Sequence, residues 1–190
     1  MDNDNKEFNP VLEFDAFTAG IEDGGLRSSS TIALVVCYII ANISDKITSK
    51  NIVDALVEGK IANYFEVSDA ISRLTKSGKI TQDSDGHLAI TEKSRFIVDI
   101  VENDLPITIR QKSIELVRKI AKIEINQKEN NVTIEKSDND FKVTLRVSDV
   151  DSDFMALTLF VPTMAQAETI KEKFLQNPVA IYENLMNSLF

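Results

Sequence analysis

The sequence holds one cysteine, one histidine and no tryptophan, and its longest apolar run, Ile32 to Ile43, is interrupted by Asn42. Each shortage excludes something. A single cysteine cannot form an internal disulfide, and Cys37 sits in Ala33-Leu34-Val35-Val36-Cys37-Tyr38-Ile39, the setting of a buried small hydrophobe. With only His87 and Cys37 to draw on, a zinc site lacks its usual ligands and Ser-His or Cys-His nucleophile systems lack their parts. No metal, no cofactor and no enzymatic activity are therefore expected. The apolar run falls well short of the roughly 20 residues that cross a bilayer. The amino terminus is acidic and polar where a signal peptide is basic and then apolar, so a cytoplasmic protein with no membrane partner is expected. Positive charge is scarce too: 21 Lys and Arg against 30 Asp and Glu leave a net charge of -9, which speaks against a generic nucleic-acid binder. The deficit is uneven, with 10 basic and 18 acidic residues up to Pro106 and 11 and 12 beyond it.

Two tracts imitate binding loops and fall short. Gly20-Ile21-Glu22-Asp23-Gly24-Gly25 has neither the Gly-Lys-Ser/Thr ending of a P-loop nor the spacing of a dinucleotide fingerprint, and reads as a structural turn. Asp149-Val150-Asp151-Ser152-Asp153 begins like a calcium loop, but Phe154 stands where glycine is needed and Phe160 where glutamate is needed. A hairpin turn is the plainer expectation.

What the sequence does have is an organised stretch from Ile47 to Thr91. Thr48 is placed to cap a helix over Thr48 to Glu58, with Ile47 stapling onto Ile52 and Gly59 as a left-handed C-terminal residue. After Ile61-Ala62-Asn63, the residues Val67, Ala70, Ile71 and Leu74 recur on one helical face, and Gly78 ends that helix. The opposite face carries Phe65, Asp69, Ser72 and Lys76, flanked by Ser68 and Arg73. Lys79 to Gln82, the polar cluster Asp83-Ser84-Asp85-Gly86 and His87 to Ile90 read as a β-hairpin, with His87 an exposed strand residue. Two short helices followed by a hairpin outline a winged helix-turn-helix.

Around that stretch, residues 1–20 form an N-terminal tail and lead-in: Met1 to Pro10 is polar, acidic and expected to pack only around Phe8, and Val11 to Thr18 supplies Leu12, Phe14 and Phe17. Ser28, Ser29 and Ser30 offer capping hydroxyls for a helix to about Ile43 that is apolar on most sides. Thr91 caps a helix through Phe96, Ile97, Ile100 and Val101 that ends before Pro106. The winged-helix domain is thus bounded at 21–106. Residues 107–190 then form an α/β module expected to serve dimerisation or sensing. It comprises a helix through Leu116, Ile120 and Ile123 with a basic surface, a polar linker at Asn126 to Asn131, and three strands. The strands run through Val132-Ile134, Phe141-Val147 and Leu157-Val161. Thr163 and Gln166 predict a capping box for a helix to Gln176, and Asn177-Pro178 separates it from a last helix, Val179 to Phe190. The fold class expected is α+β, with a small antiparallel three-stranded sheet covered by helices.

Leu88-Ala89-Ile90-Thr91-Glu92-Lys93-Ser94 resembles the leucine-threonine-glutamate-lysine-glycine tract that closes the wing in many bacterial winged-helix regulators, with Ser94 in place of glycine. Ala19-Gly20-Ile21, Gly24-Gly25-Leu26-Arg27, Cys37-Tyr38, Ala62-Asn63-Tyr64-Phe65 and the segment Val161 to Leu189 resemble an uncharacterised bacterial domain-of-unknown-function family, whose members are described as predicted winged-helix regulators. The resemblance implies a DNA-binding transcriptional regulator. Ser68, Ser72, Arg73 and Lys76 are then the residues for base edges and phosphates of double-stranded DNA, and Lys79 and Lys93 hold backbone phosphate at the wing base. Asp69 and the apolar Phe65 on the same face favour a different use, a winged-helix module that docks a protein and does not bind DNA. An effector ligand remains open. Apolar surface on the helix Ile32 to Ile43 and on the terminal helix predicts a homodimer.

Overall fold

The computed structural model describes residues 20–21, 25–148 and 153–190. The expected tail, the Glu22-Asp23-Gly24 part of the glycine loop and the Asp149 to Ser152 turn lie outside the described residues. The fold is α+β: seven helices among the described residues, a short hairpin and a three-stranded antiparallel sheet near the C-terminus. It divides into two compact units, one running to Ile120 and one from Ala121. No helix among the described residues is long and apolar enough to cross a membrane.

In the first unit, α1 (Ser29–Asn42) packs against α3 (Tyr64–Lys76), α4 (Glu92–Val101) and β2 (Leu88–Ile90). Ile32, Val35, Val36, Ile39 and Ile40 are buried there, each contributing roughly 1.5 to 3 kcal/mol. The apolar circumference that pointed to a dimer is therefore largely covered by the chain itself. Ser28 precedes α1 but makes no capping bond, its hydroxyl instead lying 2.7 Å from that of Ser30. At the other end, Arg95 Nη1 donates to Ala41 O at 2.9 Å and Arg118 Nη2 to Asn42 O at 3.3 Å, occupying carbonyls the helix leaves open.

α2 (Ser49–Glu58) begins with a reciprocal capping box: Thr48 N donates to Asn51 Oδ1 at 2.8 Å and Asn51 N to Thr48 Oγ1 at 3.3 Å. Gly59 is not the left-handed residue expected; Lys60 is, at φ 51°. Gly59 serves close approach instead, since a Cβ there would meet Leu116 Cδ1 at 2.6 Å and Ala55 O at 3.1 Å. Gly78, at φ +66°, does end α3 as expected. The hairpin pairs β1 (Ile80–Gln82) with β2, Ile80 opposite Ile90, and a third segment joins it where Thr48 bridges His87 and Leu88 N donates to Ile47 O at 2.8 Å. Thr91 does not cap α4 with its hydroxyl, which sits 3.0 Å from Lys79 O and from Ser94 Oγ.

α5 (Ile107–Glu129) starts after Pro106 and runs on through Asn126 to Glu129, the stretch expected to be a linker. Polar composition did not end the helix, because Lys128 pairs with Glu124 at 3.3 Å and Asn126 Nδ2 donates to Leu175 O at 2.6 Å. Within its first part Ser113 is fully buried, and its hydroxyl has no hydrogen-bond partner among the described residues. Leaving such a group unpaired costs about 1 to 3 kcal/mol. Ser113→Ala is accordingly expected to raise the melting temperature by a few degrees in a calorimetric scan; a lowered melting point would mean the hydroxyl is satisfied.

The second unit orders its sheet β3 (Asn131–Lys136), β4 (Phe141–Ser148), β5 (Asp153–Val161), all antiparallel. Val143 lies between Ile134 and Leu159, and Leu145 between Val132 and Leu157, so one face carries the apolar row. α6 (Met164–Gln176) and α7 (Pro178–Leu189) cover that face, with Phe174 at the centre of the core. Thr163 caps α6 by accepting from Gln166 N at 3.3 Å, and its hydroxyl, not its main-chain N–H, meets the Gln166 side chain. Asn177 caps α7 ahead of Pro178.

Candidate nucleic-acid interface

α2 and α3 pack together, and an open groove of about 700 Å³ runs between their outer faces to the end of β1. Ser68, Ser72 and Lys76 line it because residues four apart on α3 stack in one row. Ser49 and Lys50 from the first turn of α2, Tyr64 from α3 and Gln82 from β1 complete its rim. These four were not anticipated. Lys50 was visible as a cation just after the Thr48 cap, but the crossing of two helices that brings it to α3 is not encoded in periodicity.

The six residues expected to act together do not all converge. Arg73 follows Ser72 by about 100° around the helix, and with Lys79 it borders a second cleft of about 430 Å³ between α1, the end of α3 and α4. Lys93 is exposed on α4 and lines neither groove.

Charge is largely answered along this face. Arg73 Nε meets Asp69 Oδ2 at 2.7 Å and Lys50 Nζ meets Asp54 Oδ2 at 2.7 Å, whereas Lys76 has no ion-pair partner among the described residues. Glu66 is held toward α1, its Oε2 accepting from Ser29 Oγ at 3.1 Å. At the start of α3, Tyr64 and Phe65 pack edge to face, ring centroids 5.5 Å apart, and remain 55% and 70% exposed.

The hairpin tip is fixed by one carboxylate. Asp83 Oδ1 accepts from His87 N at 2.8 Å and Asp85 N at 2.9 Å, and Asp83 Oδ2 lies 3.0 Å from His87 Nδ1. Donation by the His87 main chain, foremost, holds the Asp83 carboxyl below the usual range. His87 is half-buried by this contact rather than an exposed strand residue. The same bonds explain why candidate ligand atoms of Asp83, Asp85 and His87 gather within 4.8 Å of one another.

Cys37 borders the second cleft, yet its thiol is buried and pushed up to about 11 by desolvation, which outweighs the opposing charge of Lys79. At pH 8 about a thousandth of it is then thiolate. A thiol reagent is expected to label the native protein at least ~100-fold more slowly than the denatured chain; equal rates would show the thiol to be accessible.

The two units make this an α+β protein that presents a helix, a second helix and a hairpin around one groove. The chain belongs to the family described as domain of unknown function DUF4364, whose sequence model matches residues 32–189. That match bears out the domain-of-unknown-function part of the resemblance and carries no statement about winged-helix regulators. No curated protein and no solved structure matches the chain.

Proposed function

We propose that the chain is a cytoplasmic, homodimeric DNA-binding transcriptional regulator whose first unit is a winged helix-turn-helix. The observation that carries this reading is the row Ser68, Ser72 and Lys76 on α3, facing an open groove between a helix and a hairpin of the winged-helix order. α3 is then the recognition helix, its hydroxyls reaching base edges while Lys76 and Lys50 meet phosphate. The β1–β2 hairpin is the wing, with Lys79 and Lys93 beside the backbone. Arg73, which borders the second cleft, contributes less than its charge implies. A neutral reading head gains from a second copy, because the second contact benefits from effective concentration.

Fluorescence anisotropy on a mixed-sequence duplex across a salt series tests the reading. Affinity is expected to fall with salt, at about 0.9 log units per log unit of salt for each phosphate contacted. No binding at low salt would overturn it. A second reading is favoured by the exposed Tyr64–Phe65 pair, which has the makings of a protein contact. In that case partner capture, lost in Phe65→Ala, would replace DNA binding.

A further inference from the structure

β5 forms the open side of the three-stranded sheet. It pairs with β4 along one edge, and its other main-chain edge has no hydrogen-bonding partner among the described residues. Such an edge is a template for another strand, and proteins guard it with lysine, proline, a bulge or an inward charge. β3, on the far side, is guarded: it is six residues long and ends in Glu135 and Lys136. β5 is nine residues long, and Asp153 at its start is the single charge within it. That carboxylate is already held in its own sheet, by Arg146 Nη1 at 2.6 Å and Ser148 Oγ at 2.8 Å. A bulge at Asp153 and Phe154 interrupts the register with β4, but from Met155 to Val161 the strand is regular and carries no charge to repel an approaching strand.

The core also thins out toward this edge. Val143 and Leu145 on β4 are buried, while their neighbours Leu159 and Leu157 on β5 are only half-buried. Phe154 and Phe160 stand 61% and 65% exposed near the two ends of the strand. A strand that completed this surface would be uncharged, would alternate in the same phase, and would bring its own helical cover. β5 of a second copy meets all three conditions. With a two-fold axis normal to the sheet at Leu157, Met155 falls opposite Leu159 of the second copy and Ala156 opposite Thr158, all within the regular part of the strand beyond the bulge. The period of two keeps every core-facing residue on the covered side, joining both sheets into one of six strands.

We propose that two copies of this chain pair antiparallel through β5, centred on Leu157. This rests on the homodimer reading above and names its interface. The test uses the full chain. Sedimentation equilibrium at micromolar concentration is expected to give a dimer. The double variant A156K/T158K places lysines opposite lysines across the axis and is expected to weaken association at least tenfold. Both positions are exposed, and the Thr158 change removes only a 3.3 Å hydroxyl contact with Thr144, so circular dichroism should be unchanged. In a second variant, A156C/T158C, opposed cysteines are expected to yield a disulfide-linked dimer on mild oxidation, buried Cys37 being no competitor. A monomeric wild type would sink the homodimer reading and this interface with it. A dimer that persists in A156K/T158K, or one that the cysteine pair fails to cross-link, would leave the dimer standing and overturn β5. The exposed Phe96, Ile97 and Ile100 of α4 would then be the surface to examine. Should the lysine variant misfold, the cysteine pair alone decides.

Discussion

Replacing Phe174 by alanine is expected to unfold the second unit at temperatures where the wild type is intact. Phe174 is fully buried, and Val143, Leu145, Val147, Met155, Ala167 and Leu175 form the cluster around it. Removing a buried phenylalanine ring costs about 3 to 5 kcal/mol, part lost transfer energy and part cavity. A unit of this size holds only about 0.05 to 0.15 kcal/mol per residue, so most of its stability would go. The midpoint should drop by more than ~10 °C when followed by circular dichroism. Phe174→Leu, which keeps most of the volume, should cost less than about 2 kcal/mol. A change below about 1 kcal/mol in Phe174→Ala would mean that the site collapses around the missing ring.

The second large effect concerns the groove. Under the DNA reading, Lys50 and Lys76 are its phosphate contacts, because they flank the Ser68–Ser72 row from opposite helices. Changing both to alanine should weaken duplex binding on the order of tenfold or more at low salt and reduce the salt slope by about 2. Arg73→Ala should do far less, since Arg73 borders the second cleft and not this groove. This contrast separates the tertiary arrangement from the helical wheel, which sets Arg73 on the flank of the face that carries Lys76 and so within reach of the same partner. Equal losses in the two variants would show that the duplex reaches the second cleft as well, and no loss in either would remove DNA from this face.

Much of the fold was legible because it depends on neighbours in sequence. Thr48 and Thr163 cap helices as read, through bonds from main-chain groups three residues on, while the caps at Asn63 and Asn177 were not anticipated. The alternation Phe141, Val143, Leu145, Val147 sets which face of β4 is buried whatever the sheet packs against. The polar Asp83 to Gly86 tract made a turn, and Gly78 ended α3.

What failed were inferences about faces and ends that distant residues control. Asn126 to Glu129 stayed helical because Leu175 supplied a partner for Asn126. Gly59 answered to Leu116, far along the chain, and not to its own dihedral. The candidate site divided likewise: periodicity placed Ser72 and Lys76 on one outer face with Ser68 and Arg73 on its flanks, but only helix packing set Lys50 in the same groove as Lys76 and turned Arg73 toward another cleft. Local hydrogen bonds and the periods of 3.6 and 2 are written in the sequence, so the elements and their buried faces were determined there. Which exposed side chains share a groove, and which apolar rows remain half-covered at β5, depends on how elements cross, and only the tertiary structure decides that.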